Sequence, residues 1–184
     1  MPRIRSLVLA TALLLPGALL AQYAQMRPVV AASRPTVIKE DARGTLVQLG
    51  PVRISFPPGW QVTPSAIGSE ARGPSGTETN VMVLEHTGGA VASLPEPVGA
   101  ISEALKHFCA SQTQVRVELL EQKSERSSYL GSCIDAHQTE GSPYTLFYEV
   151  RSGSRIVQII SSGTSGFTKA REEQALVASS LVFE

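Results

Sequence analysis

The sequence is poor in the residues from which most catalytic and metal sites are built. Its 184 residues include two cysteines, three histidines (His86, His107 and His137) and two aspartates, Asp41 and Asp135. No CxxC occurs, which argues against a redox-active dithiol. No HxH, HExxH or Cys-His spacing occurs either, so neither a metal nor a cofactor is expected. Walker A and dinucleotide fingerprints are missing. Formal net charge is zero, and no basic stripe is interleaved with aromatics, so no nucleic-acid partner is expected. With aspartate so scarce, paired carboxylates are few. Glu172 and Glu173 are expected in the first turn of a terminal helix, where the helix dipole favours negative charge.

What the chain does have begins at its N-terminus. "MPRIRS" carries two arginines and is followed by the apolar run "LVLATALLLPGALLA", Leu7 to Ala21. A basic start, an apolar stretch and a late helix break at Pro16-Gly17 are the parts of an export signal. At about 1.5 Å per helical residue, the run falls short of the roughly 30 Å hydrocarbon core. Cleavage after Ala21 would place bulky Leu19 at position −3. Cleavage after Ala32 fits Val30-Ala31-Ala32 better but lies far downstream. No cysteine follows the apolar run, which disfavours a lipoprotein. Residues 1–32 are therefore read as an export signal and 33–43 as a linker, with 44–184 as one domain. A cleaved signal implies a periplasmic or secreted protein with no stable membrane insertion; an uncleaved one would be an N-terminal anchor. Removing 1–32 leaves thirteen bases against sixteen acids.

In an oxidising compartment Cys109 and Cys133 form a candidate disulfide, the alternative being two buried free thiols. Closing that loop would add about 3 kcal/mol.

The body of the domain reads as strands. "TLVQL" and "VRISF" alternate with period two, Val52, Ile54 and Phe56 sharing one side. Pro57 and Pro58 end that strand, Gly59 lets the backbone turn, and the single tryptophan, Trp60, re-enters as a core plug. Residues 64–79 are rich in Gly, Ser and Pro and read as a loop. "NVMVLEH" is a strand, and 87–95 a second loop. A helix is expected over about 96–112, burying Val98, Ile101, Leu105, Phe108 and Cys109. Four further strands, "VRVELLEQ", "YLGSCIDAHQ", "YTLFYEVR" and "RIVQIISS", are separated by short turns and make an antiparallel meander. Tyr144, Leu146, Tyr148 and Val150 share one face. A last helix over about 168–181 carries the stripe Phe167, Ala170, Gln174, Val177 and Leu181, with Thr168 as N-cap. The expected class is α+β: a central antiparallel sheet of about six strands with two helices packed on it.

Candidate reactive groups are few. Asp135 and His137 share a strand face, compatible with a base and its orienter, but a solvated strand face is the favoured reading. His107 falls between core-facing positions of its helix and suits a partly buried or capping imidazole. "GTSG", Gly163 to Gly166, is one residue short of a nucleophile elbow and reads as a turn feeding a helix. No residue is assigned a catalytic role.

The order of elements, with "ISFPPGW" (Ile54 to Trp60) early and Ser180-Leu181-Val182-Phe183 at the end, resembles the PsbP-like superfamily over about 46–184. Both motifs are structural and carry no catalytic residue with them. The resemblance implies an antiparallel sheet covered by helices and a binding or accessory module rather than an enzyme. The expectation is an exported, non-catalytic domain acting on a protein partner at the cell envelope. The alternatives are an inhibitor or immunity-type protein inserting loop 64–79 or 87–95 into a secreted enzyme, and a hydrolase.

Overall fold

The computed structural model describes residues 26–28, 36–65, 68–88, 97–109, 114–123, 126–134, 141–164 and 166–184. Alternating segments form strands where expected. β1 (Met26–Pro28) and β2 (Thr36–Asp41) are followed by the hairpin β3 (Gly44–Leu49) and β4 (Val52–Phe56). Next come β5 (Gln61–Ser65), β6 (Gly68–Arg72), β7 (Glu78–His86) and helix α1 (Val98–Lys106). The meander is β8 (Gln114–Gln122), β9 (Arg126–Ile134), β10 (Tyr144–Ser152) and β11 (Arg155–Gly163), and helix α2 (Phe167–Ser179) leads to β12 (Val182–Phe183).

The class is α+β with antiparallel pairing throughout, but the strands divide between two sheets rather than one sheet of six. The larger, eight-stranded sheet runs β5-β6-β7-β11-β10-β9-β8, with β1 pairing β7; the smaller runs β12-β4-β3-β2. The two expected helices do not share a sheet face. Phe147 on β10 lies in the cluster of α1, with Ile101, Leu105, Tyr129 and Cys133. Its neighbours Tyr144 and Leu146 lie in the cluster of α2, with Ala170. Successive side chains on a strand point to opposite faces, so α1 and α2 cover opposite sides of the large sheet.

The small sheet packs on the α2 side. Val47, Leu49, Val52, Ile54 and Phe56 meet Val81, Val83, Val150, Val157 and Ile159, and Val177, Ala178 and Leu181 of α2 and its exit close the same cluster. Trp60 is buried as expected, its ring centroid 5.7 Å from that of Phe56. It rests on a glycine: a Cβ at Gly73 would stand 3.0 Å from the indole.

The loop expected over 64–79 is corrected. Residues 64–79 are not one loop, because Gln61–Ser65 and Gly68–Arg72 pair as a hairpin and β6 continues onto β7. Small residues are required there, since a Cβ at Gly68 would stand 1.8 Å from the Val81 carbonyl oxygen. Pro64 sits on the outermost strand, where a missing N–H costs no ladder bond. Within the expected linker 33–43, Thr36–Asp41 pairs with β3. Within the expected signal 1–32, Met26–Pro28 pairs with β7.

Helix boundaries also differ. α1 stops at Lys106 with His107 as its C-cap, and Val98 is 38% exposed rather than buried. α2 begins from Gly166, whose φ of 97° suits glycine, and Thr168 is not the cap. The α2 stripe itself is as expected, with Ala170, Gln174, Val177 and Leu181 buried. Gln174 donates Nε2–H to the carbonyl of Ile159 at 3.0 Å, which satisfies the donor side of that buried amide.

The seat of α1 gives a first test. A Cβ at Gly131 would fall 2.5 Å from Ile101 Cγ2 and 2.6 Å from Leu105 Cδ1, both in buried side chains. Gly131→Ala is expected to cost about 1–3 kcal/mol by overpacking. Urea unfolding measures it, and an unchanged midpoint would mean α1 is free to lift.

Candidate functional site

Among the described residues, those singled out from sequence come together in one place only. Cys109 and Cys133 form a disulfide, with Cα atoms 5.6 Å apart and a sequence separation of 24. Cys109 lies just past the end of α1, its N–H bonded to the Leu105 carbonyl at 2.9 Å, so the bridge pins that end to β9. His86 is buried at the end of β7, and His107 is exposed at the α1 C-cap. Asp135 and His137 lie outside the described residues, as do Ser165 of the "GTSG" turn and positions 89–96 of the second expected loop. Among the described residues no three His, Cys, Asp or Glu side chains cluster as metal ligands.

Two polar networks had no sequence signature. On β10, Glu149 and Arg151 are buried together, Arg151 Nε lying 2.9 Å from Glu149 Oε1. Gln158 on β11 donates Nε2–H to Glu149 Oε2 at 3.0 Å. Spacing of two puts both charges on one strand face, and the register Glu149↔Gln158 brings the amide beside them. The pair holds its charges among protein partners rather than offering them to a ligand.

The second network involves Glu173, which is not in the first turn of α2 but one turn further in. Its Oε2 accepts from Ser75 Oγ at 2.7 Å and Thr77 Oγ1 at 3.0 Å. Thr77 Oγ1 and Tyr144 OH are 2.8 Å apart. The threonine has one proton and gives it to the carboxylate, so the phenol donates to Thr77. This chain ties α2 to the turn before β7 and to β10.

Among the described residues, the sheet edges leave backbone groups without a strand partner. β8 ends the large sheet and β2 ends the small one. An edge strand presents unpaired N–H and C=O groups, which invite another strand. The other terminal strands are poor templates: β5 contains Pro64, and β12 has two residues. On β2 every residue is exposed, including Val37 and Ile38, the latter 50% exposed. The register slips between Val37 and Lys39, which sets Ile38 at a bulge. β8 shows the same arrangement: Leu119 and Leu120 are 45% and 44% exposed, and the register slips between Leu119 and Glu121. Bulges re-aim side chains at strand edges.

Charges beside both bulges are paired within the chain. Lys39 Nζ lies 2.6 Å from Asp41, and the Arg43 backbone N–H donates to it at 2.8 Å. Those two contacts, the Lys39 side chain first, hold the Asp41 carboxyl below its usual range. The Lys123 ammonium does the same for Glu121.

Against proteins of known structure, the chain is similar to the solution structure of cyanobacterial PsbP from Synechocystis. The identity is 11% over 83% of this chain and 94% of that one, with a TM-score of 0.49. It is also similar to a crystal structure from Bacteroides thetaiotaomicron, at 12% identity, 73% of this chain, 46% of that one and a TM-score of 0.39. A third likeness is to an uncharacterized protein of Mycobacterium smegmatis, at 14% identity, 86% and 98% coverage and a TM-score of 0.34. At these identities and scores the likenesses add nothing about activity or partners. No family pattern and no curated protein matches the sequence.

Proposed function

We propose that this chain is an exported, non-catalytic accessory domain that binds a protein partner at the cell envelope, taking an extended segment of that partner against β2. The observation that carries the reading is β2 itself. A six-residue strand exposed along its whole length, with two apolar side chains uncovered, is held by its pairing to β3. Solvated strands of this kind are costly to keep unless something pairs with them. Strand addition satisfies the free backbone groups, and pockets for alternate side chains supply specificity. The basic and apolar N-terminal run and the Cys109–Cys133 disulfide support export. Among the described residues no helix is long and apolar enough to cross a membrane.

The test is cross-linking of the full chain in its source cells, followed by recovery with an antibody from the envelope fraction. A defined partner is expected with the unaltered chain. Its yield should fall at least about tenfold with Ile38→Asp, which puts a charge where an apolar contact is needed. Recovery independent of Ile38, or a chain confined to the cytosol, would overturn the reading. A secreted enzyme as partner, losing activity on binding, would favour the inhibitor alternative.

A further inference from the structure

We infer that β8 is a self-association edge, at which a second copy of this chain adds antiparallel so that the large sheets of two protomers run on as one. This edge is separate from β2 and does not depend on the partner proposed there.

β8 has nine residues, and among the described residues its only strand neighbour is β9. The stretch 114–119 contains neither proline nor lysine nor a register slip, and its two charges, Arg116 and Glu118, are of opposite sign, so they guard the edge less against a copy of itself than against other strands. Register with β9 assigns its two faces. Val115, Val117 and Leu119 stand opposite Cys133, Gly131 and Tyr129 on the α1 side. Arg116 and Glu118 stand opposite Ser132 and Leu130 on the α2 side. Val115 and Val117 pack against the α1 cluster, and Glu118 reaches Arg171 of α2 at 3.0 Å, both side chains still 44% exposed.

The charge pattern chooses one register for two antiparallel copies. With Val117 on the two-fold axis, Arg116 of each copy faces Glu118 of the other. Val115 then faces Leu119, covering an apolar side chain now in solvent, and Gln114 faces Leu120. A shift centred on Arg116 would oppose two arginines, and one centred on Glu118 would oppose two glutamates. Opposite charges across a strand pair stabilise and like charges repel, so both neighbouring even registers are disfavoured. Odd registers would set apolar residues of one face against charges of the other. The matched stretch, 114–120, ends at the bulge. Seven residues a side is a small interface, of the class below about 1,200 Å², so the dimer is expected to be weak, with Kd on the order of 10–100 µM.

Sedimentation of the protein with its disulfide intact tests this. A monomer–dimer equilibrium should appear between about 5 and 300 µM. Arg116→Glu or Glu118→Arg alone should raise Kd about tenfold, and the two together should restore it to within about threefold. That recovery also shows that the single variants failed through charge and not through misfolding. Mild oxidation should cross-link Val117→Cys to its copy and leave Val115→Cys uncross-linked, because only position 117 faces itself. A chain that stays monomeric at about 300 µM, a swap that fails to restore association, or equal cross-linking at 115 and 117 would each overturn the inference.

Discussion

Arg151→Met should lower the free energy of unfolding by about 3–5 kcal/mol, the largest effect expected of any single change in this chain. Arg151 and Glu149 occupy one face of β10 with side chains 6% and 0% exposed, and Nε stands 2.9 Å from the carboxylate. Methionine keeps the apolar stem but removes the guanidinium, so the carboxylate remains buried with its opposite charge gone. Gln158 still donates to it, at 3.0 Å, but a neutral amide cannot offset a full charge. Removing both charges is a different experiment. Glu149→Leu with Arg151→Met leaves an apolar pair of similar volume, and no buried ion needs a partner. The double variant should therefore be more stable than the Arg151 variant, despite carrying one more change. Urea unfolding at neutral pH of the two singles and the double measures the cycle. An Arg151→Met protein within about 1 kcal/mol of the parent would show that water reaches the pair and that its burial does not matter.

Loss of the disulfide ranks second. With the cysteines at a sequence separation of 24, the cross-link is worth about 3 kcal/mol through the entropy it removes from the unfolded chain. For a domain of this size that is roughly 6–12 °C in melting temperature. Cys109→Ser with Cys133→Ser should melt lower by that amount, and so should the parent in reducing buffer. The structure adds where the loss should begin. Cys109 follows the last turn of α1, and α1 is held to the large sheet by Ile101 and Leu105 against Tyr129, Cys133 and Phe147. That cluster is smaller than the inter-sheet core of Val47, Ile54, Phe56, Val157 and their neighbours. Amide exchange in α1 should rise first, while β3 and β4 keep their protection until global unfolding. Equal melting temperatures with and without the bridge would contradict this.

Most of the strand and helix content could be read from the sequence because it is written in apolar periodicity. Val52, Ile54 and Phe56 alternate and are all fully buried; Ala170, Gln174, Val177 and Leu181 recur at helical spacing and are buried too. Trp60 and the two cysteines were legible for similar local reasons: one large aromatic needs a core, and two thiols in a small domain read as exported form a natural pair. β6 was not legible, because its buried residues are Gly68, Ser69 and Ala71 and small residues look like loop. β2 was not legible, because a strand exposed on both faces has no reason to alternate.

The chain by itself thus determined its class, its main helical stripe, its longest strands and its disulfide, since each depends on neighbours near in sequence or on simple counting. Only the tertiary structure decided that there are two sheets, that the helices lie on opposite faces, and that Glu149 meets Arg151 and Gln158 in the interior. Those outcomes depend on which strand lies beside which, as when Val182 pairs with Arg53 and Val157 with Val83. Period two specifies which way a side chain points, and carries no information about the sheet, or the edge, on which its strand comes to rest.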